Sequence, residues 1–262
     1  HVPVAVGLLN PNGDEVVPTR ILTLKEQKQT FEFSGLHARP VASVLRGFSA
    51  PVILDHDRTA EESAFLLAHD TDPFNAWEAG RRLAEGVLAG MIRDEADTPR
   101  AFLDALDRAI ADPDRDPAFR ALLLDLPTED ELAKHLADTG TIPDPDRIHL
   151  CHDRLARAIS ERCAATLARL YADHQLPGPF SPDARAAGNR ALSNAALRYL
   201  VLTEGPDRAL AQFDTADNMT QSLAALGALV RIGKGNDALA RFEARWQSDR
   251  LVMNKWFSLQ VA

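Results

Sequence analysis

No stretch of the 262-residue sequence stays apolar over the length of a membrane span, which takes about 20 consecutive apolar residues. No signal peptide is visible at the N-terminus either, so no membrane partner is expected. Positive charge is scarce: 29 Lys and Arg stand against 38 Asp and Glu, a net charge of −9. Binding nucleic acid needs a basic face that neutralises phosphates, and this balance argues against it. Cysteine is scarce as well, with only Cys151 and Cys163. The sequence places both in one helical segment, where twelve residues at the helical rise separate them by about 18 Å, beyond disulfide reach. Two free, reduced cysteines predict a cytoplasmic protein.

The motifs of common catalytic centres are missing too. The 8 His never form His-Glu-x-x-His, and no Gly-x-Ser-x-Gly elbow offers a serine nucleophile. Gly233-Lys234-Gly235-Asn236 lacks the glycine spacing and preceding strand of a phosphate loop and reads as a turn between helices. Asp112-Pro113-Asp114-Arg115-Asp116-Pro117 begins like a calcium loop, but Pro117 replaces the glycine of position six and Leu123 the glutamate of position twelve. It reads as a capped turn. His149 and His152, beside Cys151 and Asp153, have ligand-like types at i and i+3, without the i, i+4 pair or third ligand of helical zinc sites. They read as ordinary helix positions. Asp55, Asp57, Glu61 and Glu62 read as a solvated turn leading into a helix, where acidic side chains suit the positive end of the dipole. Trp77, Trp246 and Trp256 read as packing aromatics. No residue is therefore nominated as catalytic, cofactor-binding or metal-ligating.

What is present divides in two. Residues 1–57 read as β, with strands expected at Val2–Leu9, Arg20–Leu24, Thr30–Phe33, Val41–Leu45 and Pro51–Leu54. Short alternating strands between turns predict a partial immunoglobulin-like sandwich. From residue 58 to 262 the pattern is helical, a solenoid-like array of antiparallel hairpins. Cap-plus-proline pairs mark helix starts at Asp72-Pro73, Thr98-Pro99, Asp116-Pro117, Asp144-Pro145 and Ser181-Pro182. Thr128 with Glu131 forms a capping box. Helices are expected near 59–69, 73–94, 99–111, 117–124, 129–138, 145–173, 182–203, 207–214, 219–232, 237–247 and 251–262. The fold class is thus mainly α with a small N-terminal β segment. The strand-like run begins at His1 and the last apolar segment has no stop signal. The expectation is a piece of a larger polypeptide, cut in its β part at one end and its helical part at the other. That cut would leave Val4–Leu9 as an unpaired edge. Trp256 is expected to pack near Phe242 and Trp246, with Leu251, Val252 and Leu259 on the same face.

Several stretches resemble the C-terminal part of the bacterial alanyl aminopeptidases (aminopeptidase N), a zinc metallopeptidase family. They are Gln29–Phe33, Pro40–Val52 with its Arg46-Gly47-Phe48-Ser49-Ala50-Pro51-Val52 core, Leu66–Asp70, Asp72–Ala79, Asn218-Met219-Thr220 and Leu251–Gln260. The resemblance implies a small β-sandwich followed by a large helical domain, in agreement with the reading above. It also implies that the His-Glu-x-x-His zinc site and the Gly-Ala-Met-Glu-Asn motif lie upstream, and that later helices bring arginines to the catalytic cavity. No catalytic residue and no metal ligand carries over to this chain.

The function expected from the resemblance is that of a non-catalytic portion of a zinc aminopeptidase. The parent removes N-terminal residues with a metal-activated water and a glutamate base. The zinc belongs to the parent, and this chain alone needs no cofactor and should be inactive. Its partners would be the catalytic domain of the same polypeptide and the parent's peptide substrates. The sandwich would be a spacer, and the helical domain would restrict access to the active site. The alternative is a stand-alone α-helical interaction module with a β appendage.

Overall fold

The computed structural model describes residues 1–176 and 178–261. The chain divides into two compact units, His1–Asp112 with Leu126–His152, and Pro113–Asp125 with Asp153–Ala262. Three strands lead, β1 (Val2–Leu9), β2 (Glu15–Leu24) and β3 (Val41–Val44). Twelve α-helices follow among the described residues: α1 (Ala60–His69), α2 (Pro73–Asp94), α3 (Arg100–Ala111), α4 (Pro117–Leu123), α5 (Glu129–Asp138), α6 (Pro145–Arg162), α7 (Ala164–Asp173), α8 (Ala184–Glu204), α9 (Asp207–Thr215), α10 (Met219–Arg231), α11 (Asn236–Trp246) and α12 (Arg250–Val261).

In the first unit the strands form one antiparallel sheet of order β2-β1-β3. The β1–β2 turn is an Asx type: Asn10 Oδ1 accepts from the Asn12 and Asp14 amides, and Gly13 takes φ 95°. The expected free edge at Val4–Leu9 is overturned. β1 is the central strand, because β3 returns to pair Val6 with Val44 and Leu9 with Val41 on the side β2 leaves open. The strands expected at Thr30–Phe33 and Pro51–Leu54 do not form. Phe33 instead packs on the cluster of Val6, Leu8 and Val17, so its alternation reflects side-chain burial without strand pairing. Ile53 is 96% exposed, and an apolar run with no face to bury has no reason to pair. Leu9 joins Leu66 and Ala79 in a second cluster, which seats the sheet on α1 and α2.

A buried cation organises this unit. Leu45, Gly47 and Phe48 all take positive φ (62°, 61° and 51°) around a short 3-10 turn, a conformation that costs a non-glycine residue about 1–2 kcal/mol. The turn aims Arg46 inward, where its side chain is 4% exposed. Its Nη1 donates to Glu15 (2.5 Å) and Thr19 (2.9 Å) on β2, and its Nε to Ser43 (2.9 Å) on β3. Its Nη2 donates to Asp70 (3.0 Å), the C-cap of α1. Asp72, the N-cap of α2, accepts from the Gly47 amide, and Asn75 donates to Ser43 and to the Val44 carbonyl. A Cβ on Gly7 would lie 2.4 Å from the Arg46 guanidinium carbon. β1 therefore needs glycine at the point where its register against β2 shifts. Burial pushes the Asp70 carboxyl above the usual carboxylate range, outweighing its hydrogen bonds and Arg46.

In the second unit α8 is the hub, packing on α4, α7 and α10. It buries residues around most of its circumference, among them Leu192, Ala196, Leu197, Tyr199 and Leu200, as expected for a helix with neighbours on several sides. The Tyr199 hydroxyl donates to the Leu124 carbonyl at 2.6 Å. A Cβ on Gly188 would meet the Ala118 amide at 3.2 Å, so α4 and α8 approach closely.

Most expected helices form within a residue or two of their predicted bounds, with three corrections. The segment 145–173 is two helices, broken at Cys163 (φ −97°, ψ 11°), so the two cysteines do not share one helix; both are buried and neither is in a disulfide among the described residues. No glycine or proline marks that break. Thr98 does not cap α3, whose N-cap is Pro99 without a side-chain bond. Ser181 does not cap α8; Asp183 does, accepting from the Ala186 amide at 2.9 Å.

Helix α12 carries Trp256 onto α11. Its indole Nε1 donates to the Leu239 carbonyl at 3.0 Å, and the ring joins the cluster of Phe242, Trp246, Val252 and Leu259. Leu251, expected on the same face, is 77% exposed. Ala262, the last residue of the expected helix, lies outside the described residues.

Arg46→Ala should destabilise the chain by about 3–5 kcal/mol in urea unfolding, because it leaves Asp70 buried without its counter-ion. Arg46→Lys should also destabilise, since an ammonium cannot reproduce the fork, and Gly7→Ala should act in the same direction. Trp256→Ala should cost about 3 kcal/mol, the lower end for such truncations because the ring is partly exposed. An unchanged unfolding midpoint in either case would remove the role assigned to that residue.

Candidate functional site

A cavity of about 680 Å³ opens in the second unit. The end of α7, the connection to α8, the first turns of α8, the end of α9 and the start of α10 line it. Two helix N-termini face it. Asp183 caps α8, and Ser181 donates to its carboxylate. Those two bonds, with the nearby Arg190 charge, hold the Asp183 carboxyl below the usual range. Asn218 caps α10, accepting from the Gln221 amide at 3.0 Å. Tyr171 lines the wall under Arg208, whose guanidinium lies 5.1 Å from its ring centre. Burial pushes the Tyr171 hydroxyl up, against the pull of Arg208.

Three polar side chains of the lining keep buried atoms without partners among the described residues. Arg190 is 8% exposed. Its guanidinium lies 4.5 Å from the Phe180 ring centre, and its Nε has no acceptor. Gln212 is 5% exposed; its Nε2 donates to Asn194 (2.9 Å) and to the Gln221 carbonyl (3.0 Å), while its Oε1 has no donor. Gln175 Nε2 has no acceptor. Buried polar groups are nearly always paired, so three in one cavity set it apart. The hydroxyl–carboxylate pair of the lining, Ser181 with Asp183, is engaged at the N-cap of α8. Its chemistry is that of binding: two N–H donors, one of them cationic, and one carbonyl acceptor.

The residues weighed from sequence lie elsewhere. His149 is exposed, with Nδ1 2.8 Å from Glu129 Oε1. Cys151 is buried, and Asp153 pairs with Arg231 at 3.2 Å. Among the described residues no group of three or more His, Cys, Asp or Glu could hold a metal ion. Asp116 caps α4 through the Ala118 and Phe119 amides. Gly233 (φ 68°) ends α10, with its amide and that of Lys234 returning to the Val230 and Leu229 carbonyls. Glu62 completes a capping box with Thr59, and Trp77 stacks beside Phe74 under Arg81.

Sequence reading missed Arg190, Gln175 and Gln212. One signal was available: Arg190 follows Ala186 and precedes Leu197 along an apolar row at helical spacing, where a cation is out of place.

Comparison with known proteins adds a second line of evidence. A family described as a domain of unknown function (DUF3458) with an Ig-like fold matches residues 1–57. A companion family described as a domain of unknown function (DUF3458_C), ARM repeats, matches residues 60–262. Aminopeptidase N of Caulobacter vibrioides is 38% identical over 98% of this chain. Those of Haemophilus influenzae and Escherichia coli are 31% and 32% identical over 100% of it. A solved structure of Legionella pneumophila aminopeptidase A in complex with aspartic acid covers 99% of the chain with a TM-score of 0.83 at 24% identity, a likeness of fold. The chain spans only 30–32% of the length of these proteins.

The chain purified without chelator should carry far less than one zinc per molecule by metal analysis. Replacing both His149 and His152 by Ala should leave that content unchanged. One tightly held zinc per chain, lost on the double substitution, would reinstate the pair as ligands.

Proposed function

This chain belongs to the DUF3458_C family, with a DUF3458 match over residues 1–57, and from these we propose that it is the non-catalytic C-terminal part of a zinc-dependent aminopeptidase that removes N-terminal residues from peptides. The observation that carries the reading is the match to three aminopeptidase N proteins over 98–100% of this chain, at about a third of their length. The described residues offer no group of ligands fit for zinc. We assign the metal, and the activation of water it supplies, to the part of such a polypeptide that this chain does not span in those relatives. No catalytic step is assigned to residues 1–262.

In this proposal residues 1–57 are a spacer beside the catalytic domain of the same polypeptide, and residues 58–262 are a helical wall that limits entry to short or unfolded peptides. A wall that excludes folded proteins must not yield. Support comes from the packing of α8 and α10, where Leu192, Leu197, Leu226 and Leu229 are fully buried. Among the described residues no helix is long and apolar enough to cross a membrane, and the proposal places the enzyme in the cytoplasm.

The test compares two proteins. The isolated chain should not hydrolyse aminoacyl-anilides. The full polypeptide that carries it should hydrolyse them, lose activity to a chelator and regain it with zinc. If the full polypeptide shows no chelator-sensitive aminopeptidase activity, the reading fails. Replacing residues 58–262 by a short linker should broaden the size of accepted substrates if the wall assignment holds; an unchanged size limit would reject it.

A further inference from the structure

The cavity of the second unit takes no part in the proposal above, and its polar groups point to a use of their own. Arg190 is the central observation. It is 8% exposed, its buried Nε has no hydrogen-bond partner among the described residues, and Phe180 lies against one face. An unpaired buried cation is costly, and the ring compensates only part of that cost. Arg46, also buried, is by contrast satisfied at all three nitrogens. The missing partner of Arg190 is an acceptor, and Gln175 Nε2 in the same lining lacks one as well. Two N–H donors, one of them cationic, suit an anion with two oxygens.

The remaining groups narrow the class. Gln212 Oε1 asks for a donor on the same ligand. Its own amide is held by Asn194 and Gln221, so it cannot turn to offer N–H instead without breaking both bonds. Asp183 and Asp217 also line the cavity. Two carboxylates disfavour a dianion such as phosphate and favour a nearby ammonium. Tyr171, Leu176, Pro179 and Phe180 give the wall an apolar share. The volume of about 680 Å³ lies in the range of small-molecule sites.

We propose that this cavity binds an α-amino acid with an apolar side chain: Arg190 and Gln175 take its carboxylate, and Gln212 Oε1 with the neighbouring aspartates takes its ammonium. The site is a binding site and needs no reaction. It stands whether or not the parent is an aminopeptidase, because it rests on groups within the second unit alone.

Calorimetric titration of the full 262-residue chain with L-phenylalanine tests it, beside L-phenylalaninamide, which lacks the carboxylate, and inorganic phosphate. Saturable binding of phenylalanine is expected. Binding of the amide should be roughly tenfold weaker or worse, since it removes the charge-assisted pair, and phosphate should not compete. Arg190→Met should abolish binding with the helical circular dichroism unchanged. Should that variant fail to fold, Gln175→Ala, in the connection between helices, should still weaken phenylalanine binding several-fold. No saturable binding of phenylalanine, equal binding of the amide, competition by phosphate, or full binding by a folded Arg190 or Gln175 variant would each overturn the proposal.

Discussion

The first unit depends on one guanidinium that has been taken out of water. Arg46 joins Glu15 and Thr19 of β2, Ser43 of β3 and Asp70 at the end of α1. Sheet and helices can assemble only in the arrangement that brings all four partners to it. A buried charge is not stabilising in itself, because desolvation offsets its Coulomb gain. Its effect is to make other arrangements worse, since each would leave a charge buried without a partner. The positive φ of Leu45 and Phe48 and the missing side chain of Gly7 follow from this. Backbone strain and a glycine in the central strand are tolerated because they let the guanidinium reach its place.

The second unit is built on a different principle. Its hub, α8, is held by close apolar packing on α4, α7 and α10 and by the Tyr199 bond to the Leu124 carbonyl. Arg190 on that helix has none of the partners that Arg46 has. Arg46 closes a network and Arg190 leaves one open, and that contrast separates a structural cation from one waiting for a ligand.

Much of this architecture was legible in the sequence. Caps such as Asp72, Asp116 and Thr128 act within three or four residues, so helix bounds followed from local chemistry. The resemblance of Arg46–Val52 to the aminopeptidases was visible as a string of residues, but its reason was not. Arg46 is buried, the Gly47 amide reaches Asp72, and Ser49 Oγ accepts from the Ala5 amide. Each of those partners lies far along the chain.

By itself the sequence determined the order of a β segment before a helical array, most helix starts and the packing of Trp256 on α11. These rest on signals of short range: hydrophobic period, cap oxygens and turn residues. Tertiary structure alone decided that β1 is central, that Thr30–Phe33 and Pro51–Leu54 do not pair, that the chain bends at Cys163, and that Arg46 is satisfied while Arg190 is not. The pairing of Leu9 with Val41 and of Arg46 with Asp70 spans dozens of residues. Whether a polar group finds a partner depends on which distant surfaces meet around it, and no local pattern encodes that.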